Sequence, residues 1–266
     1  MVIILPLILA IATHGFIVRE SVYYEQPTVK FTNEMIVEAL VNDGTIDSVK
    51  QFSTVANINN RFSSVLTAPE LSVLSYDAND DRRNEKLDIN LKFSKATTDS
   101  VKSLHILFYL QYYIGNEVNT QFKTLVYLEL NAINGGNIAY AFSKGNLKLQ
   151  QKNPIAEGTI KRELYSSTLE ADYLNYGIDG ILDRYNIRNQ TTEYDANPIV
   201  STYGATDKTE VQITVVVPSL ESVWYFTSIL EVVKHAWIEY LAFFIPIFFI
   251  LYVWLYGFVV KANVLQ

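Results

Sequence analysis

Residues 240–260 read YLAFFIPIFFILYVWLYGFVV, a run of 21 residues without one charged side chain. As an α-helix this run is roughly 31 Å long, about the thickness of the hydrocarbon core of a bilayer. Trp237 and Tyr240 stand at one end and Trp254 and Tyr256 near the other, where amphipathic rings favour the headgroup level. The run therefore predicts a transmembrane helix near the carboxyl end of the chain.

Two details complete the prediction for this end. Pro246 lies inside the run, and a proline kink is tolerated in a bilayer where neighbouring groups take up the freed carbonyl. We assign residues 234–260 to this helix with the segment that approaches the membrane, and residues 261–266 to a cytosolic tail. One face is rich in aromatic side chains, which either pack against partner helices or contact lipid: Phe243, Phe244, Phe248, Phe249 and Tyr252.

The amino-terminal end is also apolar and allows two interpretations. Residues 2–12 read VIILPLILAIA, the length of the hydrophobic region of a secretory signal, and Ala10-Ile11-Ala12 fits the small-x-small cleavage pattern. No Lys or Arg precedes this run, which is atypical of a signal. Alternatively, Val2 to Val18 forms a first span at the short end of the usual range. Both interpretations place the middle of the chain on the exoplasmic side.

The middle segment, residues 19–233, is long enough for one domain with a sizeable core. It carries 19 basic and 27 acidic side chains, a net charge of −8. Such an acidic domain is unsuited to nucleic acid and is repelled by anionic lipid. The chain has no cysteine, which excludes a disulfide framework and a thiolate zinc site.

Strand patterns dominate this segment. Val101 to Ile114 is dense in β-branched and aromatic residues and ends at a Gly115-Asn116 turn signal. Further strands are predicted at 35–41, 88–93, 122–130, 137–149 (with a turn at Lys144-Gly145-Asn146), 161–169 and 211–217. One short amphipathic helix is expected from helical spacing of apolar residues: Leu174, Ile178, Ile181, Leu182 and Tyr185. The pattern predicts a β-rich, sandwich-like exoplasmic domain with a short helix, flanked by the two apolar ends.

Motifs of enzymatic chemistry are missing from the sequence. It contains no GxSxG, HExxH, P-loop or GxGxxG pattern. The three histidines, His14, His105 and His235, are far apart, and a structural role is the better interpretation of each. We therefore predict no catalytic residue and no cofactor.

An acidic stretch follows the template of a calcium-binding loop in part. Asp77, Asn79, Asp81 and Asp88 stand at positions 1, 3, 5 and 12 of that template. The sixth position, which needs glycine for a sharp turn, holds Arg82, and Arg83 adds a second positive charge. A solvated polar loop is the favoured interpretation, and a degenerate calcium site is the alternative.

The sequence contains one glycosylation sequon, Asn189-Gln190-Thr191. It follows the predicted short helix in a polar stretch. Asn189 is a suitable acceptor if this domain faces the secretory lumen, which agrees with the topology inferred from the apolar ends.

Several motifs, in order along the chain, resemble the transmembrane protein 231 family of the ciliary transition zone. The pieces YxEQPTVxF and LxLQQKxP are the most specific, because neither is required by membrane or strand physics. The carrying residues are Thr13–Phe16, Tyr24–Phe31, Leu147–Lys152 with Pro154, Arg188–Thr192, Asn197–Ile199, Val233–Lys234, Ala236–Trp237 and Tyr240.

The resemblance implies a two-pass protein with both termini in the cytosol and an exoplasmic domain at residues 19–233. Residues 1–18 are then expected to form a first transmembrane helix. The sequence departs from the family in lacking a cytosolic leader before this helix, so either its start is truncated or the family's amino-terminal contacts are absent here. Glu85 also stands near where the family has a glycine in the acidic loop. The implied location is the ciliary membrane at the transition zone.

The implied role is architectural. Members of the family join tectonic and B9-domain proteins and other small transmembrane proteins in a complex that forms a diffusion barrier at the ciliary base and supports cilium assembly. Composition and pattern also fit a different class, a type I single-pass cell-surface receptor or adhesion protein with a cleaved signal peptide.

Overall fold

The computed structural model describes residues 3–13, 17–202 and 207–261 of the 266-residue chain. The chain divides into two units. The β unit comprises residues 23–153 and 158–223, and the terminal unit comprises the described parts of 1–22, 154–157 and 224–266.

Most secondary-structure elements of the described residues are strands. One long helix lies in the β unit and another at the carboxyl end. The strands are β1 Glu20–Glu25, β2 Thr28–Asn42, β3 Asp47–Ser53, β4 Glu70–Tyr76, β5 Lys86–Ser94, β6 Ser100–Ile114, β7 Val118–Asn131, β8 Ile138–Gln151, β9 Ile155–Ala156, β10 Gly158–Leu164, β11 Gln190–Ala196, β12 Ile199–Thr202, β13 Lys208–Val216 and β14 Glu221–Phe226. The helices are α1 Ile4–Ala12, α2 Ala56–Asn59, α3 Leu169–Ile187, α4 Ile229–Phe249 and α5 Gly257–Lys261, with a 3₁₀ turn at Ile133–Gly135 and a π-helical segment at Ile250–Tyr256.

A five-stranded sheet of the order β10-β7-β6-β2-β3 forms the centre of the β unit. Its middle strand, β6, pairs antiparallel with β2 and β7, and residues Ile106–Leu110 are all buried. Five consecutive buried residues mean that the strand is covered on both faces. On one face Leu107 and Tyr109 pack against Ile181 and Tyr185 of α3.

The second sheet has six strands in the order β11-β8-β13-β5-β4, with β12 also paired to β8. Its strands β8 and β11 contact β6 and β7 of the first sheet, as in two-layer β architectures. The β-rich character predicted from the sequence is therefore confirmed. The strand predictions at 35–41, 88–93 and 122–130 fall inside β2, β5 and β7, and the prediction at 211–217 extends one residue beyond the end of β13 at Val216.

The turn predicted at Lys144-Gly145-Asn146 is wrong, since β8 runs through it without interruption. Gly145 pairs with Ala196 on one side and Val215 on the other. A Cβ atom added at Gly145 would lie 2.4 Å from the Ala196 Cβ. Glycine is present here to permit a close approach of strands.

The strand predicted at 161–169 ends early, because β10 stops at Leu164 and Leu169 already begins α3. Thr168 is the N-cap, and its Oγ1 accepts a hydrogen bond from the Ala171 N–H at 3.3 Å. The predicted helix is confirmed but extends from Leu169 to Ile187, and it is interrupted at Gly177. Of the predicted apolar face, Leu174 lies before this break and is absent from the core cluster that includes Ile181.

In the terminal unit, α1 contacts α4. Ser228 caps α4 by accepting a hydrogen bond from the Glu231 N–H at 3.3 Å. Among the described residues, one helix is long and apolar enough to cross a membrane, and it extends over residues 229–259. Nearly all of the predicted span 240–260 lies within it. The separate three-stranded sheet has the order β1-β14-β9.

The predicted first span, Val2 to Val18, coincides with a helix of only nine residues, Ile4–Ala12. Ile17 and Val18 have no regular structure, and Val2 and residues 14–16 lie outside the described residues. The existence of a first span therefore stays a prediction, as do the segment limits at 18, 233 and 260.

Candidate functional sites

Five aromatic side chains form a stack along the candidate membrane helix, which we call the aromatic stack: Tyr240, Phe244, Phe248, Tyr252 and Tyr256. Neighbouring ring centroids are 5.6, 5.7, 5.4 and 5.5 Å apart in that order, and all four pairs are stacked. Trp237 extends the stack with an edge-on contact to Tyr240 at 5.9 Å. The predicted aromatic face is thus partly revised, because Phe243 and Phe249 lie outside the stack.

The spacing of the stack explains its form. Side chains four residues apart are neighbours on an α-helix but drift around its axis by about 40° per step. The π-helical segment at Ile250–Tyr256 has more residues per turn, so the drift is reversed where Tyr252 and Tyr256 stack with an interplanar angle of 3°. The result is a continuous ring surface along one side of the helix.

The acidic loop brings together a set of oxygen ligands that differs from the sequence template. Carboxylate oxygens of Asp77, Asp81 and Glu85 lie within 4.8 Å of one another. Asp77 accepts hydrogen bonds from the backbone N–H groups of Asp81 and Arg82, at 3.2 and 2.7 Å. Arg82 has a φ of +67°, so it adopts the left-handed conformation that the template reserves for glycine.

Asp88 and Asn79 have other partners. Asp88 is buried in β5, where it accepts hydrogen bonds from Thr214 at 2.8 Å and from Lys86 at 2.6 Å. The structure thus places Asp88 outside the acidic group, because it belongs to the second sheet. The Asn79 amide donates to Asp81 at 3.1 Å, and the Arg83 guanidinium turns away to the Gln26 carbonyl. Calcium binding by this loop stays a prediction.

Asn189 is exposed at the junction of α3 and β11. Its side-chain oxygen accepts a hydrogen bond from Asn153 at 3.0 Å, and its backbone N–H donates to the Tyr165 hydroxyl at 3.1 Å. The sequon is therefore held in a defined position with its acceptor side chain at the surface. This geometry is compatible with glycosylation.

Glu25, in the YxEQPTVxF motif, has a role that the sequence did not indicate. Its buried carboxylate accepts hydrogen bonds from the backbone N–H groups of Gly115 and Asn116, at 2.8 and 2.9 Å. It therefore holds the turn between β6 and β7 from 90 residues away along the chain. Burial raises the pKa of Glu25, and the two backbone N–H groups and Arg83 oppose that rise.

The motif residues near Asn189 form a second buried network. The Tyr185 hydroxyl accepts from the Thr192 N–H at 2.6 Å, donates to the Thr192 carbonyl at 2.9 Å, and lies 2.7 Å from the Thr124 hydroxyl. The Arg188 guanidinium lies over the Tyr165 ring, 4.7 Å from its centroid, and donates a hydrogen bond to the Lys123 carbonyl at 3.0 Å. These contacts join α3, β7 and β11, so this part of the motif stabilises the β unit.

The histidines have unlike surroundings. His105 is half-buried, and its Nδ1 lies 2.7 Å from the Tyr127 hydroxyl. It borders a polar cleft of about 320 Å³ that sequence reasoning missed, since its polar and aromatic members come from five elements: Glu38, Gln51, His105, Tyr127, Tyr173 and Asp179. His235 lies on α4, and His14 lies outside the described residues.

Comparisons with known proteins agree with one another. The family model described as Transmembrane protein 231 matches residues 1–266. The human protein of that name is 27% identical over 241 residues, which cover 89% of this chain and 75% of the human protein. The Xenopus tropicalis protein is 26% identical over 242 residues (89% and 76%), and the Gallus gallus protein 27% over 257 residues (95% and 78%). No solved structure matches the chain significantly.

Proposed function

The chain belongs to the transmembrane protein 231 family, and on that premise we propose that it is a structural component of the membrane complex at the ciliary transition zone. In this role it contributes to the diffusion barrier that controls the protein composition of the ciliary membrane, and to cilium assembly. The family match over residues 1–266 is the observation that carries the proposal.

The aromatic stack supplies a physical means of assembly. Lipid tails are as apolar as aromatic side chains, so helices associate in a bilayer through close packing and polar contacts rather than through hydrophobic burial. A row of stacked rings from Tyr240 to Tyr256 is already ordered by its own contacts. A partner helix that packs on it orders few additional side chains, which favours association.

The β unit supplies the exoplasmic surface. It makes up most of the segment 19–233, which has a net charge of −8, so this segment presents an acidic surface to neighbouring domains. We propose tectonic-like and B9-domain proteins and other small transmembrane proteins of the same complex as partners. The role proposed is one of scaffolding, without an enzymatic step.

The topology proposed is that of a two-pass protein in the ciliary membrane, with Val2 to Val18 as its first span. Amino-terminal sequencing of the mature protein tests this directly. The expected sequence begins within the first two residues, and a mature protein that begins at Thr13 would refute the two-pass topology.

The alternative is a type I surface receptor or adhesion protein. One observation favours it: α1 covers nine residues, the length of a signal's hydrophobic region, and ends at Ala12 of the small-x-small pattern. This alternative predicts uniform staining of the plasma membrane and no association with transition-zone proteins.

Localisation and co-purification of tagged protein in ciliated cells test the proposed function. We expect a ring or band at the ciliary base, co-purification of tectonic-like or B9-domain partners, and free exchange of membrane proteins with the cilium when the protein is removed. Uniform plasma-membrane staining without these partners would refute the proposal.

A matched pair of variants tests the part played by the aromatic stack. Replacing Phe244, Phe248 and Tyr252 together by leucine keeps the helix apolar but removes the stack, so we expect membrane insertion to persist and partner recovery to fall. The control replaces Phe243 and Phe249 by leucine, outside the stack, and should recover partners as the wild type does.

A further inference from the structure

We propose that the polar cleft binds an organic cation, that is, an ammonium or guanidinium group, between its carboxylates and its tyrosine rings. Its volume of about 320 Å³ lies within the range of small-ligand pockets, ~300–1,000 Å³. This volume has room for one basic side chain or one small organic amine.

Strand pairing builds the floor of the cleft. Gln51 on β3 is paired with Glu38 on β2, Glu38 with His105 on β6, and His105 with Glu129 on β7. Directly paired residues project to the same face of a sheet. Gln51 Nε2 donates to Glu38 Oε2 at 3.3 Å, and His105 contacts Tyr127. Four strands therefore hold one row of polar side chains in place.

This row interrupts an apolar surface. Two residues before Glu38 on the same face of β2 stands Ile36, and two residues after His105 on β6 stands Leu107; both belong to the core cluster beneath α3. The sheet thus changes from apolar to polar beside the middle of the helix, where Tyr173, Ile178 and Asp179 border the cleft. Apolar residues at these positions would have extended the core; instead, Glu38 accepts the hydrogen bond from Gln51, and the His105 ring stacks on the Tyr127 ring with centroids 6.1 Å apart.

The break in α3 forms the opposite wall. Gly177 has a φ of +68° and a ψ of −174°, a conformation that is essentially restricted to glycine. Beyond it, Ile178 and Asp179 border the cleft, and Tyr173 borders it from the preceding turn. Backbone conformations of this kind concentrate at binding and active sites, and here the break coincides with the cleft.

The charge of the cleft is negative. Among the described residues, no ion pair within 4.0 Å involves Glu38, Glu129 or Asp179. Burial raises the pKa of Tyr127, and Glu129, Asp179 and Glu38 raise it further, in that order. All three carboxylates therefore act at the same phenol, and none of the described residues that line the cleft is a Lys or Arg.

These groups suit an organic cation better than a metal ion. A divalent ion needs several oxygen ligands about one point, at ~2.0–2.6 Å, and among the described residues the acidic groups that converge are those of Asp77, Asp81 and Glu85. The cleft is lined instead by the carboxylates of Glu38 and Asp179 and by the rings of Tyr127 and Tyr173. Ring faces attract ammonium and guanidinium groups, and this attraction strengthens when water is partly excluded.

Saturation-transfer NMR on the full chain, in nanodiscs of zwitterionic lipid without net charge, tests the proposal. The probes are the peptide acetyl-Gly-Arg-Gly-amide, the small cation butylguanidinium, and acetyl-Gly-citrulline-Gly-amide as a neutral isostere. We expect binding of the arginine peptide and no detectable binding of the citrulline peptide. Tenfold tighter binding of the arginine peptide than of butylguanidinium would identify a protein segment as the natural source of the cation; equal binding would identify a free amine.

Variants locate the binding. We expect Glu38→Gln and, separately, Asp179→Asn to weaken it about five- to tenfold, since each removes one charge that faces the cation. Asp179 is exposed, so its replacement should preserve the fold if that of Glu38 does not. The control is Glu193→Gln, an exposed carboxylate on β11. Equal binding of the citrulline peptide, or unchanged binding by the Asp179→Asn variant, would overturn the proposal.

Discussion

Replacing Gly145 by alanine tests whether β8 is one continuous strand. In the structure Gly145 is paired on both sides, with Ala196 of β11 and Val215 of β13. An alanine Cβ would lie 2.4 Å from the Ala196 Cβ, 2.5 Å from the Asp195 carbonyl oxygen and 2.8 Å from the Tyr194 ring. The carbonyl oxygen belongs to the backbone, so β8 and β11 must separate to admit the methyl group.

The expected loss of stability follows from this clash. Forcing one extra methyl group into a packed site costs ~1–3 kcal/mol, and alanine recovers ~0.4–1 kcal/mol by restricting the unfolded chain. Because a backbone atom must yield, we expect a net loss of about 2 kcal/mol. For a domain of this size that loss lowers the melting temperature by roughly 4–8 °C.

Thermal unfolding of the full chain in detergent, followed by circular dichroism at a strand wavelength, measures the effect. The control is Gly158→Ala, where the nearest atom to the added Cβ is the mobile end of Arg162 at 3.3 Å; its melting temperature should stay close to that of the wild type. Equal melting temperatures of Gly145→Ala and of the control would refute the close approach of β8 to β11 at Gly145, and with it the continuous strand.

Three further predictions concern other parts of the chain. Phe248→Arg places a charge in the candidate span at a cost of roughly 2.5–3.5 kcal/mol; in intact microsomes a tag at the carboxyl end of this variant should become protected from protease while that of Phe248→Leu stays accessible, and accessibility of both tags would contradict the span. The pKa of Glu25 is raised above 4.5, so its contribution to stability is present at low pH and is lost as the pH rises from about 4.5 through the folded pKa. Glu25→Gln should therefore show a smaller fall in melting temperature between pH 4.5 and 8 than the wild type. An equal fall in both proteins would contradict the raised pKa of Glu25. Asn189→Gln should abolish a glycosidase-sensitive shift in gel mobility that Asn153→Gln retains. Absence of that shift in the wild type would show that Asn189 is not glycosylated.

Some features were predictable because they depend on local composition. The candidate span is recognisable from 21 residues without a charge, since the cost of placing a charge in lipid depends on the segment alone. β6 was predictable from its density of β-branched and aromatic residues, which suits a strand covered on both faces. The family motifs were also recognisable from the sequence alone.

Other features depend on which distant segments come together. Gly145 has the same local appearance in a turn and in a strand, and only its neighbours Ala196 and Val215 decide between them. Asp88 fitted a calcium loop by spacing, but Thr214, 126 residues away, accounts for its position in the second sheet. Glycine and aspartate both favour turns locally, and at Gly145 and Asp88 the tertiary contacts override that preference.

The polar cleft depends most on tertiary structure. Glu38, His105 and Asp179 are separated by more than 60 residues at each step, and each alone reads as an ordinary surface or strand residue. Strand pairing aligns the first two, and the break at Gly177 places the third opposite them. Sequence by itself determined the candidate span near the carboxyl end and where most strands lie, because these follow from local hydrophobicity and shape. Only the tertiary structure decided which polar groups share one cleft, because that follows from pairing and packing between distant segments.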